Sequence, residues 1–266
     1  MAGQFKDKVV VVSGASRGIG KAIAAGFAKE GAQTVLASSN AATLAEAAKE
    51  IARDTEKTGA PEPLTVAGDL RTLAGCEQVF ANVNERFKRC DVLINNAGAT
   101  RAGSFTELAD DLWLDGFALK FLGGVRLCRL FWPLLKASQG KVVFIGGGAG
   151  RTPDAEFLIG ASVNAAVASF SKGLSRLGLR DGVNVNIIHP GTTATERSEM
   201  LLQQRAAAQG KAVEDVRKES LVKSGIRRQG KPEEIAALAM FLCSEQGSHV
   251  IGTAIAVDGG ATPGVY

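Results

Sequence analysis

An apolar run, Val9–Ser13, breaks into the turn Ser13-Gly14-Ala15-Ser16-Arg17-Gly18-Ile19-Gly20, and helical periodicity follows at once over Ile19–Glu30. Few folds accommodate that order. Glycines let the chain reverse tightly and let backbone approach a ligand closely. The helix they open presents unpaired N–H groups and partial positive charge to whatever sits in the turn. Strand, glycine turn and helix therefore predict a site for a pyrophosphate or similar anion, held by Gly14, Ser16, Arg17, Gly18, Ile19 and Gly20.

The rest of the chain repeats the alternation. Strand-like runs at Thr34–Ala37, Leu64–Ala67, Val92–Asn95, Lys141–Ile145, Val183–Ile188 and Ala254–Val257 alternate with helical patterns. The helical patterns are Ala41–Lys57, Ala74–Phe87, Leu112–Leu135, Ser162–Gly178 and Pro232–Leu242. The long one is expected to end near Pro133, whose ring disfavours continuation. Seven strands alternating with helices predict an α/β fold, one doubly wound parallel sheet with helices on both faces, spanning residues 1–266 as a single domain. The polar segment Glu196–Ser224 is inserted beyond the sixth strand, where insertions cover a binding crevice.

Composition excludes several alternatives. The chain of 266 residues is 45% hydrophobic and 22% charged, with a net charge of +4 from interspersed residues. That argues against nucleic-acid and membrane-surface binding. No stretch reaches ~18 uninterrupted apolar residues, so no membrane span is expected. Residues 1–8 are polar, with no apolar signal core, so a cytoplasmic, reduced setting is expected. Cys76, Cys90, Cys128 and Cys243 lack metal-ligand spacing, and the two histidines, His189 and His249, stand far apart, so no metal site is expected.

The Gly-x3-Gly-x-Gly spacing resembles the short-chain dehydrogenase/reductase family. Further matches follow in order: Asp69-Leu70 after the third strand, Asn95-Asn96-Ala97-Gly98 ending the fourth, Pro190-Gly191 after the sixth and Val257-Asp258-Gly259-Gly260 near the end. The resemblance covers roughly residues 5–260. It implies a Rossmann-type domain that holds a nicotinamide cofactor with Asp69, Leu70, Asn96, Ala97, Gly98, Pro190, Gly191 and Thr192 beside the glycine turn. It also implies a homodimer or homotetramer acting on a small molecule. Phe117, Phe121, Phe131 and Trp132 suit such an interface and suit a core equally.

A carboxylate at the end of the second strand would bond a ribose 2′-hydroxyl and favour NAD. Ser38 and Ser39 stand there instead, and Arg17 can make a charge-assisted contact to a 2′-phosphate. NADP(H) is therefore expected over NAD(H).

The family resemblance implies a serine, a tyrosine, a lysine four residues after the tyrosine, and an asparagine on the long helix. Counting along the matched segments puts Gly147 at the serine position, Gly160 at the tyrosine, Asn164 at the lysine and Lys120 at the asparagine. The only tyrosine in the chain is Tyr266, its last residue. Two glycines remove both oxygen donors and would enlarge the pocket. Lysine and asparagine are exchanged between two helices that face one crevice in the family, so Lys120 and Asn164 are the candidate catalytic and ribose-contacting residues. A desolvated Lys120 could have a lowered pKa and serve as proton donor. Arg151 could bind an anionic substrate. Two functions remain open: a divergent NADP(H)-dependent oxidoreductase, or a cofactor-binding protein without turnover that acts as a redox sensor or partner subunit.

Overall fold

The computed structural model describes residues 3–263; Tyr266 lies outside them. Seven strands form one sheet: β1 (Val9–Ser13), β2 (Gln33–Ser38), β3 (Leu64–Ala67), β4 (Val92–Asn95), β5 (Lys141–Ile145), β6 (Asn184–Pro190) and β7 (Ala254–Val257). The spatial order is β3-β2-β1-β4-β5-β6-β7, and every pairing is parallel. The chain winds outward from β1 to β3, then returns to the other side of β1 at β4. Loops leaving β1 and β4 consequently diverge and open a crevice at the carboxyl ends of the strands.

Side-chain alternation along the strands builds two cores. Val10 and Val12 pack with α1 (Gly18–Lys29) and α2 (Ala41–Thr55), through Ile23, Phe27 and Leu44. The same core takes in α9 (Pro232–Cys243), whose Ile235 and Leu242 are fully buried. Val9 and Val11 face the other way, toward α3 (Leu73–Phe87), α5 (Gly123–Ser138) and α6 (Leu158–Asp181). A sheet buried on both faces reads as near-continuous apolar runs, as these strands do. All four cysteines are buried and free.

The long central helix departs from expectation in two ways. It begins as α4 (Asp110–Gly116), passes through a π-helical stretch at Phe117–Leu122, and resumes as α5. It also runs through Pro133 to Ser138. Leu127, Phe131 and Leu135 form a continuous buried stripe on both sides of the proline, and that packing outweighs the lost backbone bond. Phe131 is fully buried, and Phe117, Phe121 and Trp132 pack against the same core.

By length and composition, the segment Ala155–Asp181, which contains α6, is apolar enough to cross a membrane. Ile159, Val163 and Val167 of α6 are buried in the second core. The inserted segment forms two helices, α7 (Glu196–Gln209) and α8 (Val213–Lys223), separated at Gly210 with φ +62°. Leu202, Ala206 and Val216 give this pair a small core of its own.

Candidate functional site

A cleft of about 630 Å³ opens at the carboxyl ends of the strands, between the β1–α1 turn, the ends of β4 and β5, and α7. Its first wall is made of backbone. Gly14 and Gly18 adopt φ +65° and +56°, a left-handed conformation that costs a side-chain-bearing residue dearly. Gly20 faces inward: a Cβ there would sit 2.3 Å from the Gly14 carbonyl oxygen and 2.4 Å from Asn96 Nδ2.

The end of β4 clamps this turn. Asn96 Nδ2 donates to the carbonyls of Ser13 (3.1 Å) and Gly14 (3.0 Å), and Ser13 Oγ accepts from the Asn96 and Ala97 amides. Helix α1 has no acidic residue in its first turn and no side-chain cap. Its N-terminal amides are thus left for a ligand, and the helix dipole makes that ligand an anion.

Of the residues the sequence singles out, Gly14, Ser16, Arg17, Gly18, Ile19, Ser38 and Ser39 line this part of the cleft, with Asp69, Leu70, Asn96, Ala97 and Gly98 beside them. Asp69 is engaged by Arg71, which also pairs with Asp115. No carboxylate stands at the end of β2. Pro190 and Gly191 line the cleft as expected. Two expected residues do not. Gly20 packs under the turn as a spacer, and Thr192 is exposed while its carbonyl accepts from the Gly230 amide at 2.9 Å. The pairing of this turn with Gly230 draws Thr192 away from the cleft.

The opposite wall carries the exchanged pair, and both members line the cleft. Lys120, on the π-helical stretch, donates from Nζ to the Gly146 carbonyl at 3.0 Å. Its stem lies so close to Gly98 that a Cβ there would come 2.8 Å from Lys120 Cδ. Burial lowers the ammonium from its ordinary 10.5 to about 8, and the Arg197 charge adds to the effect. Asn164 is 5% exposed, and its Oδ1 has no partner. A buried acceptor left open in a cleft is an invitation to a ligand hydroxyl or amide.

The two glycines do not enlarge the pocket. A Cβ at Gly147 would lie 2.9 Å from Asn164 Nδ2, and one at Gly160 would lie 2.0 Å from Phe157 Cε1. The Asn164 amide and the Phe157 ring occupy the space those glycines leave. Beneath this corner His189 is fully buried, with Nδ1 3.2 Å from the Gly147 amide nitrogen. Burial holds its pKa below the usual imidazole value, so it supports the Gly146–Gly147 turn as a neutral ring. Ser162 is exposed, as are Arg151, Asp154 and Glu156, and none of the four lines the cleft.

Sequence reasoning missed Arg197 and Phe157. Arg197 is the second residue of α7 and reaches the Thr100 carbonyl (Nη2, 3.1 Å) and the Gly98 carbonyl (Nη1, 3.5 Å). Thr195-x-x-Ser198 forms a capping box; read as a helix start, it places Arg197 in the first turn above the strand ends. Phe157 stands three residues before Gly160, the spacing that stacks side chains on a helix face. Among the described residues, no group of three or more His, Cys, Asp or Glu could hold a metal ion.

Comparison with known proteins follows this geometry closely. L-sorbose reductase from Gluconobacter frateurii, solved with NADPH and L-sorbose, superimposes with a TM-score of 0.93 at 33% identity, with both chains covered completely. Actinorhodin polyketide ketoreductase, solved with NADPH, gives 0.89 at 28% identity over 99% of this chain and 100% of that one. The 3-oxoacyl-(acyl-carrier-protein) reductase FabG of Salmonella typhimurium is 30% identical over 257 residues, 96% of this chain and 98% of its own length. The family model described as short chain dehydrogenase matches residues 8–206. With a single parallel sheet, a glycine turn under α1 and relatives of this coverage, the chain belongs to the short-chain dehydrogenase family.

Proposed function

We propose that this protein is an NADP(H)-dependent oxidoreductase that reduces a carbonyl to an alcohol, or runs the reverse, with Lys120 as the proton donor and acceptor. The observation that carries the reading is Lys120 itself: an amine held by the Gly146 carbonyl, desolvated to a pKa of about 8, in the same cleft as the open N-terminus of α1.

The chain fits a dinucleotide. The α1 amides and the Gly14–Ile19 turn suit a pyrophosphate, and Asn96 to Gly98 with Pro190 and Gly191 form the floor. Ser38 and Ser39 leave room for a 2′-phosphate that Arg17 can neutralise, which favours NADP(H) over NAD(H). The solved relatives carrying NADPH agree with that preference. Asn164 Oδ1 would accept from a ribose hydroxyl. When bound, the nicotinamide supplies the hydride. Lys120 Nζ gives its proton to the substrate oxygen as the carbonyl becomes a hydroxyl, and it regains one from solvent. An ammonium with a pKa near 8 is well matched to that role near neutral pH.

A second reading has its own support. Phe157 and Asn164 fill the space beside Gly160 and Gly147, which suits a protein that binds cofactor without turnover. NADPH titration by fluorescence, followed by NADPH oxidation with ketones, aldehydes and enoyl compounds, separates the two. Binding together with turnover that Lys120→Ala abolishes supports the oxidoreductase. Binding without turnover across the panel supports the second reading, and failure to bind NADPH removes both. We further propose a homodimer or homotetramer, a reading that rests on the family resemblance and is checked by light scattering.

A further inference from the structure

Four cationic side chains line the cleft, Arg17, Arg71, Lys120 and Arg197, against two acidic ones, Asp69 and Glu196. Their pairing differs sharply. Arg71 is neutralised by Asp69 and Asp115. Arg217 and Arg228, elsewhere, are likewise held by carboxylates. Arg197 is partly buried, yet among the described residues no carboxylate lies within ion-pair distance of it, and its hydrogen bonds go to two backbone carbonyls. Its neighbour Glu196 is exposed and follows the next direction around the helix. A guanidinium has five N–H donors; the Gly98 and Thr100 carbonyls take one each.

The cations nearest to it aggravate the imbalance. Arg17 and Arg101 both act on Arg197 electrostatically, and Arg197 acts on Lys120. Arg17 and Arg101 are exposed, whereas Arg197 and Lys120 are partly buried; a partly desolvated cation without an ion-pair partner raises the energy of the free protein, and an incoming anion relieves it. In the oxidoreductase reading the cofactor phosphates take Arg17 and the α1 N-terminus. That leaves Arg197, held by carbonyls of the Gly98–Thr100 segment that follows β4 and within electrostatic reach of Lys120, without an anionic partner.

We infer that Arg197 is a substrate-anion site, so that the substrate is a carbonyl compound bearing a carboxylate or phosphate, seated with its anion on the Arg197 fork and its reacting oxygen at Lys120. A planar guanidinium engages either anion with two parallel hydrogen bonds. The carbon skeleton between the two groups lies against the apolar lining, Leu119, Phe157 and Leu201. This assignment rests on the oxidoreductase reading for the substrate's carbonyl; the anion site itself does not. It also moves the anion-binding role that the sequence suggests for Arg151 onto a residue that lines the cleft.

The test uses 2-oxo-4-phenylbutanoate, its ethyl ester and 4-phenyl-2-oxobutyl phosphate as probes. Calorimetry on the NADP+-saturated protein measures their binding to wild type and to Arg197→Gln, and NADPH oxidation measures turnover. The inference predicts that one or both anionic probes bind at least tenfold more tightly than the ester. It predicts that Arg197→Gln erases this ratio, acting through KM where turnover is seen, with NADPH affinity kept within twofold. Equal binding of acid, phosphate and ester by wild type overturns it. So does an Arg197→Gln protein that loses NADPH affinity and keeps the ratio, because Arg197 would then serve the cofactor. Anion-selective binding that needs Arg197 but brings no turnover leaves the anion site standing and removes the oxidoreductase reading. Turnover indifferent to the anion does the reverse.

Discussion

The two walls of the cleft are built on different principles. Around the β1–α1 turn the functional groups are backbone amides, and glycines are there because nothing larger fits: Gly14 needs a positive φ, and Gly20 lies 2.3 Å, by its hypothetical Cβ, from a carbonyl oxygen. At the ends of β5 and α6 the functional groups are side chains, and glycine means that another residue has taken the space, Asn164 at Gly147 and Phe157 at Gly160. The same residue type thus marks a fixed backbone requirement on one wall and a replaceable volume on the other. A wall made of backbone tolerates little change, whereas a wall made of side chains can be rebuilt from other elements.

Substitutions on each wall sharpen that contrast. The largest effect is expected at Lys120→Met. Loss of a proton donor should slow carbonyl reduction by about 100-fold or more, measured as NADPH oxidation at saturating cofactor. The same change should stabilise the fold. Folded Lys120 titrates near 8 against an ordinary 10.5, so below pH 8 the folded state carries a charge it solvates poorly. Removing it should raise stability at pH 7 by at most about 3 kcal/mol, less the hydrogen bond to the Gly146 carbonyl that the variant loses, read by urea denaturation. Between pH 8 and 10.5 the unfolded chain binds the extra proton, wild-type stability rises with pH, and the advantage of the variant should shrink.

On the backbone wall, Gly20→Ala should cost about 3 kcal/mol of stability and weaken NADPH binding, because the clash is with a carbonyl and with the Asn96 amide that clamps the turn. Smaller again, Arg17→Gln should lower the preference for NADPH over NADH by about tenfold, the size of one charge-assisted contact. Smallest is Gly160→Ala. The obstructing Phe157 ring is only partly buried and can turn aside, so the cost should stay near 1 kcal/mol. It should vanish when Phe157→Ala is added. If Gly160→Ala proves as damaging as Gly20→Ala, the contrast between the walls fails.

How far each wall was legible follows from the same physics. The seven strands, their alternation with helices and most of the backbone wall could be read directly, because a positive φ or a close approach leaves glycine in the sequence at fixed spacing. Gly20 was legible as a requirement and misread as a contact. Thr192 was misread because the Thr192–Gly230 pairing is a long-range event with no local signature. Pro133 misled for a related reason: its local cost is outweighed by Phe131 and Leu135 packing on distant strands. The exchange of Lys120 and Asn164 was visible by counting. Their surroundings were harder to read, since Arg197 arrives from an inserted helix whose start is marked only by the Thr195-x-x-Ser198 box, and Phe157 from a single 3-10 turn ahead of α6.

Proton transfer through Lys120 should show itself in the pH dependence of kcat/KM for carbonyl reduction. The groups facing that amine are Arg197 from α7, Asn164 from α6, the Gly146 carbonyl at the end of β5 and neutral His189 from β6. Among them Lys120 is brought to a pKa of about 8, and burial holds His189 below its usual value. Reduction should hold level below pH 8, fall as the ammonium loses its proton above it, and lose that falling limb in Lys120→Met. A profile that stays level to pH 10 in the wild type, or a Lys120→Met protein that keeps both the rate and the limb, would contradict the account.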